Sequence, residues 1–230
     1  MRLDKYICKS TELSRNEAKK LLKSGKVTLN GAVEKVPTVK VAETDRVAIE
    51  GFNLSVRDTR YIMMYKPLDT ICSNKDELYP SILNFLDIDK AFDLNIAGRL
   101  DADTTGLVLL TDDGVWMHNI ISPKKLCPKR YRVWLDEPLV ADAEESFKRG
   151  IQLRGENQLT KPATLERISD SEVLLTIIEG KYHQVKRMFA ALGNHVNALH
   201  REQIGEIVLD IDLEPGEWRA LTEQEIASVS

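Results

Sequence analysis

The sequence has few of the features that send a protein across or into a membrane. No apolar run approaches the ~20 residues that span a bilayer. The N-terminus, MRLDKYICKS, carries a charge every few residues and holds no apolar signal core, so a cytoplasmic protein is expected. Cysteine is scarce: Cys8, Cys72 and Cys127 are odd in number and far apart. They make neither a disulfide framework nor a zinc set, and read as buried or incidental thiols in a reducing compartment. Internal repeats and low-complexity segments are also lacking.

What is present is the composition of a globular protein. The 230 residues are 43% hydrophobic and 30% charged, enough for one or two domains with a sizeable core. The net charge of −4 hides an asymmetry. The first 40 residues hold ten basic side chains against four acidic ones, a net of +6, which leaves −10 for the remainder. Such a split suggests a basic module for a polyanion attached to an acidic body. The polar, weakly patterned stretch from Gly51 to Arg60 holds the join. The expected division is a first domain at 1–55, a linker at 56–60 and a second domain at 61–230.

Within the basic module, residues 2–9 read as a short helix with Leu3, Tyr6 and Ile7 on one face. Ser14-Arg15-Asn16-Glu17 is a capping box for a second helix. Ala18, Leu21 and Leu22 form its apolar stripe, and Gly25 is its expected terminator. Arg15, Lys19 and Lys23 make a basic ridge on another face. A solvated surface accounts for such a ridge, but Lys20 and Lys26 add to it and little acid dilutes it. Asn30-Gly31 between Val27–Leu29 and Ala32-Val33 signals a hairpin. Val36 to Ile49 reads as further strand, interrupted at Thr44-Asp45. Arg2-Leu3-Asp4-Lys5, Ser14-Arg15, Ala18, Gly25-Lys26-Val27 and Asn30-Gly31, in that order and spacing, resemble the S4-type RNA-binding domain over about residues 1–50. The resemblance implies that the ridge and hairpin face a structured RNA. Arg2, Lys5, Arg15, Lys19, Lys23 and Lys26 would meet phosphates, with Ser14 and Asn30 as neutral donors.

The acidic body mixes strand and helix signals without strict βαβ alternation, so an α+β architecture with a largely antiparallel sheet is expected. Strands are expected at Tyr61–Tyr65, Leu107–Leu110, Lys129–Trp134, Ala163–Ile168, Glu172–Ile178, His195–Leu199, Ile207–Leu209 and Trp218–Leu221. Helices are expected at Ser81–Leu86, Val115–Ile121, Ala141–Lys148 and His183–Leu192. A second capping box, Thr222-Glu223-Gln224-Glu225, opens a short last one.

The body is organised around Asn95 to Gly114. Gly98-Arg99-Leu100-Asp101 sets a cation and a carboxylate two residues apart, Thr104-Thr105-Gly106 reads as a small-residue bend, and Leu107–Leu110 reads as a buried strand. Asp101 should therefore sit on a loop entering the core. Asp101, Asp103, Gly106, Val108 and Asp112 match several positions of a calcium loop. Thr105 and Asp112 stand where that template wants a better oxygen ligand and a bidentate Glu, so calcium is set aside. Magnesium on Asp101, Asp103, Asp112 and Asp113 is open, although Asp112-Asp113-Gly114 is also a plain turn. Further on, Lys186 and Arg187 occupy the first turns of a helix, where cations oppose the macrodipole and a carboxylate or phosphate would have to hold them. Tyr131 among Lys129, Arg130 and Arg132 suits stacking on a base or an ordinary core position. His183 and His200 show no partner in the sequence and read as structural or RNA-contacting.

GRLDADTTGL and the following LTDDG, with Lys66-Pro67, Tyr131 and His183-Gln184-Val185-Lys186-Arg187-Met188 in matching order, resemble RNA pseudouridine synthases of the small-ribosomal-subunit type. With the S4-like module, the resemblance covers nearly the whole chain. One departure is Lys186, where many relatives carry Arg: the charge is kept but a two-pronged contact is lost. The resemblance implies an S4-like domain followed by a pseudouridine synthase catalytic domain. It implies isomerisation of a uridine in 16S ribosomal RNA or an assembling small subunit, by a monomer, without metal or organic cofactor. Asp101 would act at the ribose, Lys186 would pair with it, Tyr131 would stack on uracil, and Arg99 would hold the extruded nucleotide. Asp103 and Arg187 would support the site. A non-catalytic RNA-binding assembly factor is the alternative that the +6 segment suggests, and a metal-dependent phosphoesterase the one that the aspartates suggest.

Overall fold

The computed structural model describes residues 1–56 and 58–229; of the expected linker, Arg57 lies outside the described residues. The chain divides into two compact units, Met1–Asp58 and Thr59–Ser230. Among the described residues no helix is long and apolar enough to cross a membrane.

In the first unit, α1 (Leu3–Ser10) and α2 (Arg15–Lys23) pack on four short antiparallel strands. These are β1 (Val27–Leu29), β2 (Ala32–Val33), β3 (Val47–Ile49) and β4 (Phe52–Asn53), in the order β2-β1-β3-β4. Leu3, Ile7, Ala18, Leu22, Val27, Val41 and Val47 form the core. Both halves of the Ser14/Glu17 capping box are made. Asn30 and Gly31 take φ of 53° and 84°, the pair of left-handed residues that a two-residue hairpin requires. Two expectations fail. Of Val36 to Ile49, only Val47–Ile49 is a named strand. Pro37 has no N–H to give a ladder, and this segment instead satisfies α1: Leu3 N donates to Val39 O and Asp4 N to Pro37 O. Also, β4 lies inside the polar stretch read as the join.

The second unit is built on one nine-stranded sheet. Its strands are β5 (Tyr61–Lys66), β6 (Asn95–Ala97), β7 (Thr104–Thr111), β8 (Lys129–Leu135), β9 (Thr164–Arg167), β10 (Glu172–Ile177), β11 (Val196–Ile204), β12 (Ile207–Val208) and β13 (Trp218–Ala220). The main order is β13-β5-β7-β11-β8-β10-β9, with β6 on β7 and β12 on β11. Every pairing is antiparallel except β7–β11. The helices are α3 (Gly114–Ile121), α4 (Ala143–Arg149), α5 (Gln184–Ala191) and α6 (Glu223–Ala227). Both sheet faces are covered. Val108 and Leu110 enter one core with Phe147 of α4 and Phe189 of α5. Leu107 and Leu109 enter another with Trp116 and Ile120 of α3. A strand buried on both sides reads as a continuous apolar run, which is why Leu107–Leu110 stands out.

Several boundaries differ from expectation. Thr104-Thr105-Gly106 is no bend but the start of β7. Gly106 keeps a φ of +108° there, and a Cβ on it would lie 2.3 Å from the backbone oxygen of Arg201. Its glycine permits the close approach of β7 and β11. The segment Ser81–Leu86 forms a 3₁₀ turn over Ile82–Phe85, capped by the Ser81 hydroxyl. β11 continues five residues past the expected Leu199, and its pairing with β8 has irregular steps at Val196/Ala198 and Arg201/Gln203.

Candidate active site

The loop between β6 and β7 carries Asp101 into a cleft of about 690 Å³ within the second unit. The loop is held from below by Lys66, the last residue of β5, which is fully buried. Its ammonium donates to the carbonyls of Pro67 (2.9 Å), Ala102 (3.3 Å) and Thr104 (2.8 Å). Burial pulls its pKa below the ordinary lysine value, an effect that nearby Cys72 and aspartates oppose. Thr104 N closes the turn onto Asp101 O.

Across the cleft stands the start of α5. His183 precedes it in a left-handed conformation, φ 47°, with its ring stacked on Tyr182 at 3.8 Å. His183 Nε2 lies 3.4 Å from Asp101 Oδ1, and Lys186 Nζ lies 3.6 Å from Asp101 Oδ2 and 2.5 Å from Asp103 Oδ1. The cation at the wrong end of a helix therefore does meet carboxylates. Burial raises the Asp103 pKa, but the hydrogen bond and charge of Lys186 outweigh it and hold the carboxyl below its ordinary value.

Tyr131, 7% exposed on β8, lines the cleft. Arg99 lines it too and is exposed. Arg187 does not reach it. Successive residues of a helix point about 100° apart, so Lys186 and Arg187 cannot both face Asp101. Arg187 instead donates to Tyr182 O (3.0 Å) and Arg154 O (2.8 Å) and pairs with Glu156. The aspartates of the metal reading also disperse. Asp112 pairs with Arg60 (2.8 Å), and Asp113 caps α3 and accepts from the Tyr61 hydroxyl. Both histidines have partners after all: His183 has Asp101, and His200 Nδ1 lies 2.8 Å from Thr105 Oγ1. Burial lowers the His200 pKa.

One residue escaped the sequence reading. Arg201 of β11 is 1% exposed and lines the cleft. No advance signal marked it in the sequence, because the strand expected there ended at Leu199.

In the first unit Lys5, Arg15, Lys19 and Lys23 are exposed. Arg2 is tied to buried Asp4 at 2.7 Å, and Lys26 pairs with Glu50 at 2.7 Å. Ser14 is occupied by its capping box. Asn30 donates to Asp45 and accepts from Arg46 N, so its side chain braces the hairpin.

A carboxylate between a cation and an imidazole, beside an aromatic wall, suits covalent or base chemistry on a flat substrate. The comparisons give that chemistry a class. The family model described as RNA pseudouridylate synthase matches residues 60–191, and the S4 domain matches residues 1–47. The chain belongs to the RNA pseudouridylate synthase family and carries an N-terminal S4 domain. It is 56% identical over 229 residues to ribosomal small subunit pseudouridine synthase A of Vibrio cholerae, covering 100% of this chain and 99% of that one. To the protein of the same name from Escherichia coli K12 it is 51% identical over 230 residues, with both chains fully covered. A crystal structure of a pseudouridylate synthase is 48% identical, with a TM-score of 0.74 over the whole of both chains.

Proposed function

We propose that this pseudouridine synthase modifies the small-subunit, 16S ribosomal RNA, at uridine 516. Supporting the small-subunit RNA as target are the relatives of like length named for the small subunit. Asp101 is the carboxylate that acts at the ribose, either by attack at C1′ or by removal of the C2′ proton. Uracil leaves through N1, turns and rejoins through C5; C5 gives up a proton and N1 gains one. The observation that carries the assignment is the placement of Asp101 inside the cleft with Lys186 Nζ 3.6 Å from its carboxylate, a positioned cation beside the group that both routes use. Tyr131 stacks on the uracil and exposed Arg99 holds the extruded nucleotide. Asp103 shares Lys186 with Asp101, while Arg187 supports the site indirectly by bracing the turn before α5. The S4 domain binds RNA backbone through Lys5, Arg15, Lys19 and Lys23, with Arg2 and Lys26 at its margin. The protein acts as a cytoplasmic monomer on the RNA or an assembling subunit.

The test is Asp101→Asn, assayed by carbodiimide mapping of pseudouridine in 16S RNA. RNA affinity is expected to stay within about threefold while product is lost. Product formed by this variant overturns the role of Asp101; product at other uridines only overturns the target.

A further inference from the structure

Arg201 is buried, yet among the described residues no carboxylate lies within 4.0 Å of its guanidinium. Its partners are neutral. Nε donates to Leu107 O at 2.8 Å and Nη2 to Gly98 O at 2.6 Å. Nη1 reaches the Tyr131 hydroxyl at 3.4 Å, a long contact of the kind that tightens when substrate binds, and the guanidinium carbon lies 5.9 Å from the centre of the Tyr131 ring. A buried charge without an opposite charge is costly, and a packing role would be met more cheaply by an apolar residue.

The placement is as specific as the contacts. β11 runs between β7 and β8, and Arg201 is the residue in register with both Gly106 and Tyr131. The second of the two irregular steps in the β8 pairing falls just after it, a common device for re-aiming a side chain beside a site. One fork thus ties the aromatic wall on β8 to Gly98, whose φ of +84° opens the turn into Arg99 and Asp101.

We propose that Arg201 is the positioning residue of this site: through its guanidinium it sets the Tyr131 ring and the Gly98–Asp101 turn at a fixed separation, so that base and ribose are gripped together. This deepens the proposed roles of Asp101 and Tyr131 and rests on them. Arg201 itself need not touch the RNA.

A double-mutant cycle on the full chain tests it, read as rates of pseudouridine formation. Tyr131→Phe keeps the ring and removes the hydroxyl. Arg201→Lys keeps a cation and loses the fork. Each is expected to lower kcat about tenfold or more with KM within about threefold. The double variant is expected to be no slower than the worse single one, within about twofold, because the two groups act as a unit. Arg201→Met is expected to be slower than Arg201→Lys. Losses that multiply in the double variant, or that fall on KM alone, overturn the proposal and leave Arg201 a structural brace. Tyr131→Phe with kcat within about twofold of the parent also overturns it, even if the Arg201 variants do not fold. Asp101→Asn run alongside separates the two readings: its activity would sink the role of Asp101, while the cycle, which keeps Asp101, stays readable.

Discussion

A single lysine serves two carboxylates at the site. Lys186 is a point charge, and it sits nearer Asp103 than Asp101. Removing it has a predictable sign. Asp103 loses the interactions that hold its carboxyl low, while the burial that raises it remains. Lys186→Met is expected to move the Asp103 carboxyl upward in a carbon-13 NMR titration, and to lower kcat ~100-fold by removing charge stabilisation. An unmoved Asp103 would mean that the contact is not kept in solution. At this scale much of the site was legible. An acid in a turn and an aromatic among cations marked Asp101 and Tyr131 as candidates, but each pattern also fits an ordinary loop or core residue, and their proposed roles come from the family resemblance. Arg187 was misplaced because adjacency in sequence hides the 100° step around a helix. Arg201 was invisible because its burial depends on two neighbouring strands distant in the chain.

Elements with a local chemical signature were read correctly. Both capping boxes form, and β8 alternates buried and half-buried residues along its length. Pairing partners distant in the chain have no such signature: the parallel β7–β11 contact and short β6 had no mark in the sequence. The last helix shows what a cap does. Glu225 accepts from Thr222 N at 2.7 Å and from Arg219 at 2.8 and 2.9 Å. The Arg219 hydrogen bond leads the causes that bring its carboxyl down to about 2, against the opposing effect of burial. A depressed folded pKa means that this stabilisation is complete above the ordinary Glu value of about 4.3 and disappears as pH falls toward 2. Glu225→Gln is therefore expected to speed hydrogen exchange about tenfold at neutral pH, corresponding to ~1.4 kcal/mol. The probes are the α6 amides and the Trp116 indole, which donates to Ile226 O. The difference from the parent should shrink below about pH 4. A gap undiminished at pH 2 would count against the ion pair.

For the whole molecule, charge is segregated by unit: the +6 of the first 40 residues was the broadest feature legible in the sequence. Arg15, Lys19 and Lys23 lie exposed on α2. Replacing all three with Gln is expected to raise KM for RNA with kcat unchanged. It should also flatten the dependence of log affinity on log salt by about two to three units of slope. An unchanged slope would place the phosphate contacts elsewhere. The parallel pairing of β7 with β11 carries a consequence in time. It joins Thr104 to Leu199 and Gly106 to Arg201, residues 95 apart. A ribosome adding ~5–20 residues per second needs roughly 5–20 s to cover that distance. Until then the turn bearing Asp101 and the strand bearing Tyr131 exist without the strand that joins them. Loop closure of that length is entropically expensive and slow. A half-made chain thus holds the basic RNA-binding unit but no competent cleft, so the growing protein can grip RNA seconds before it can modify it.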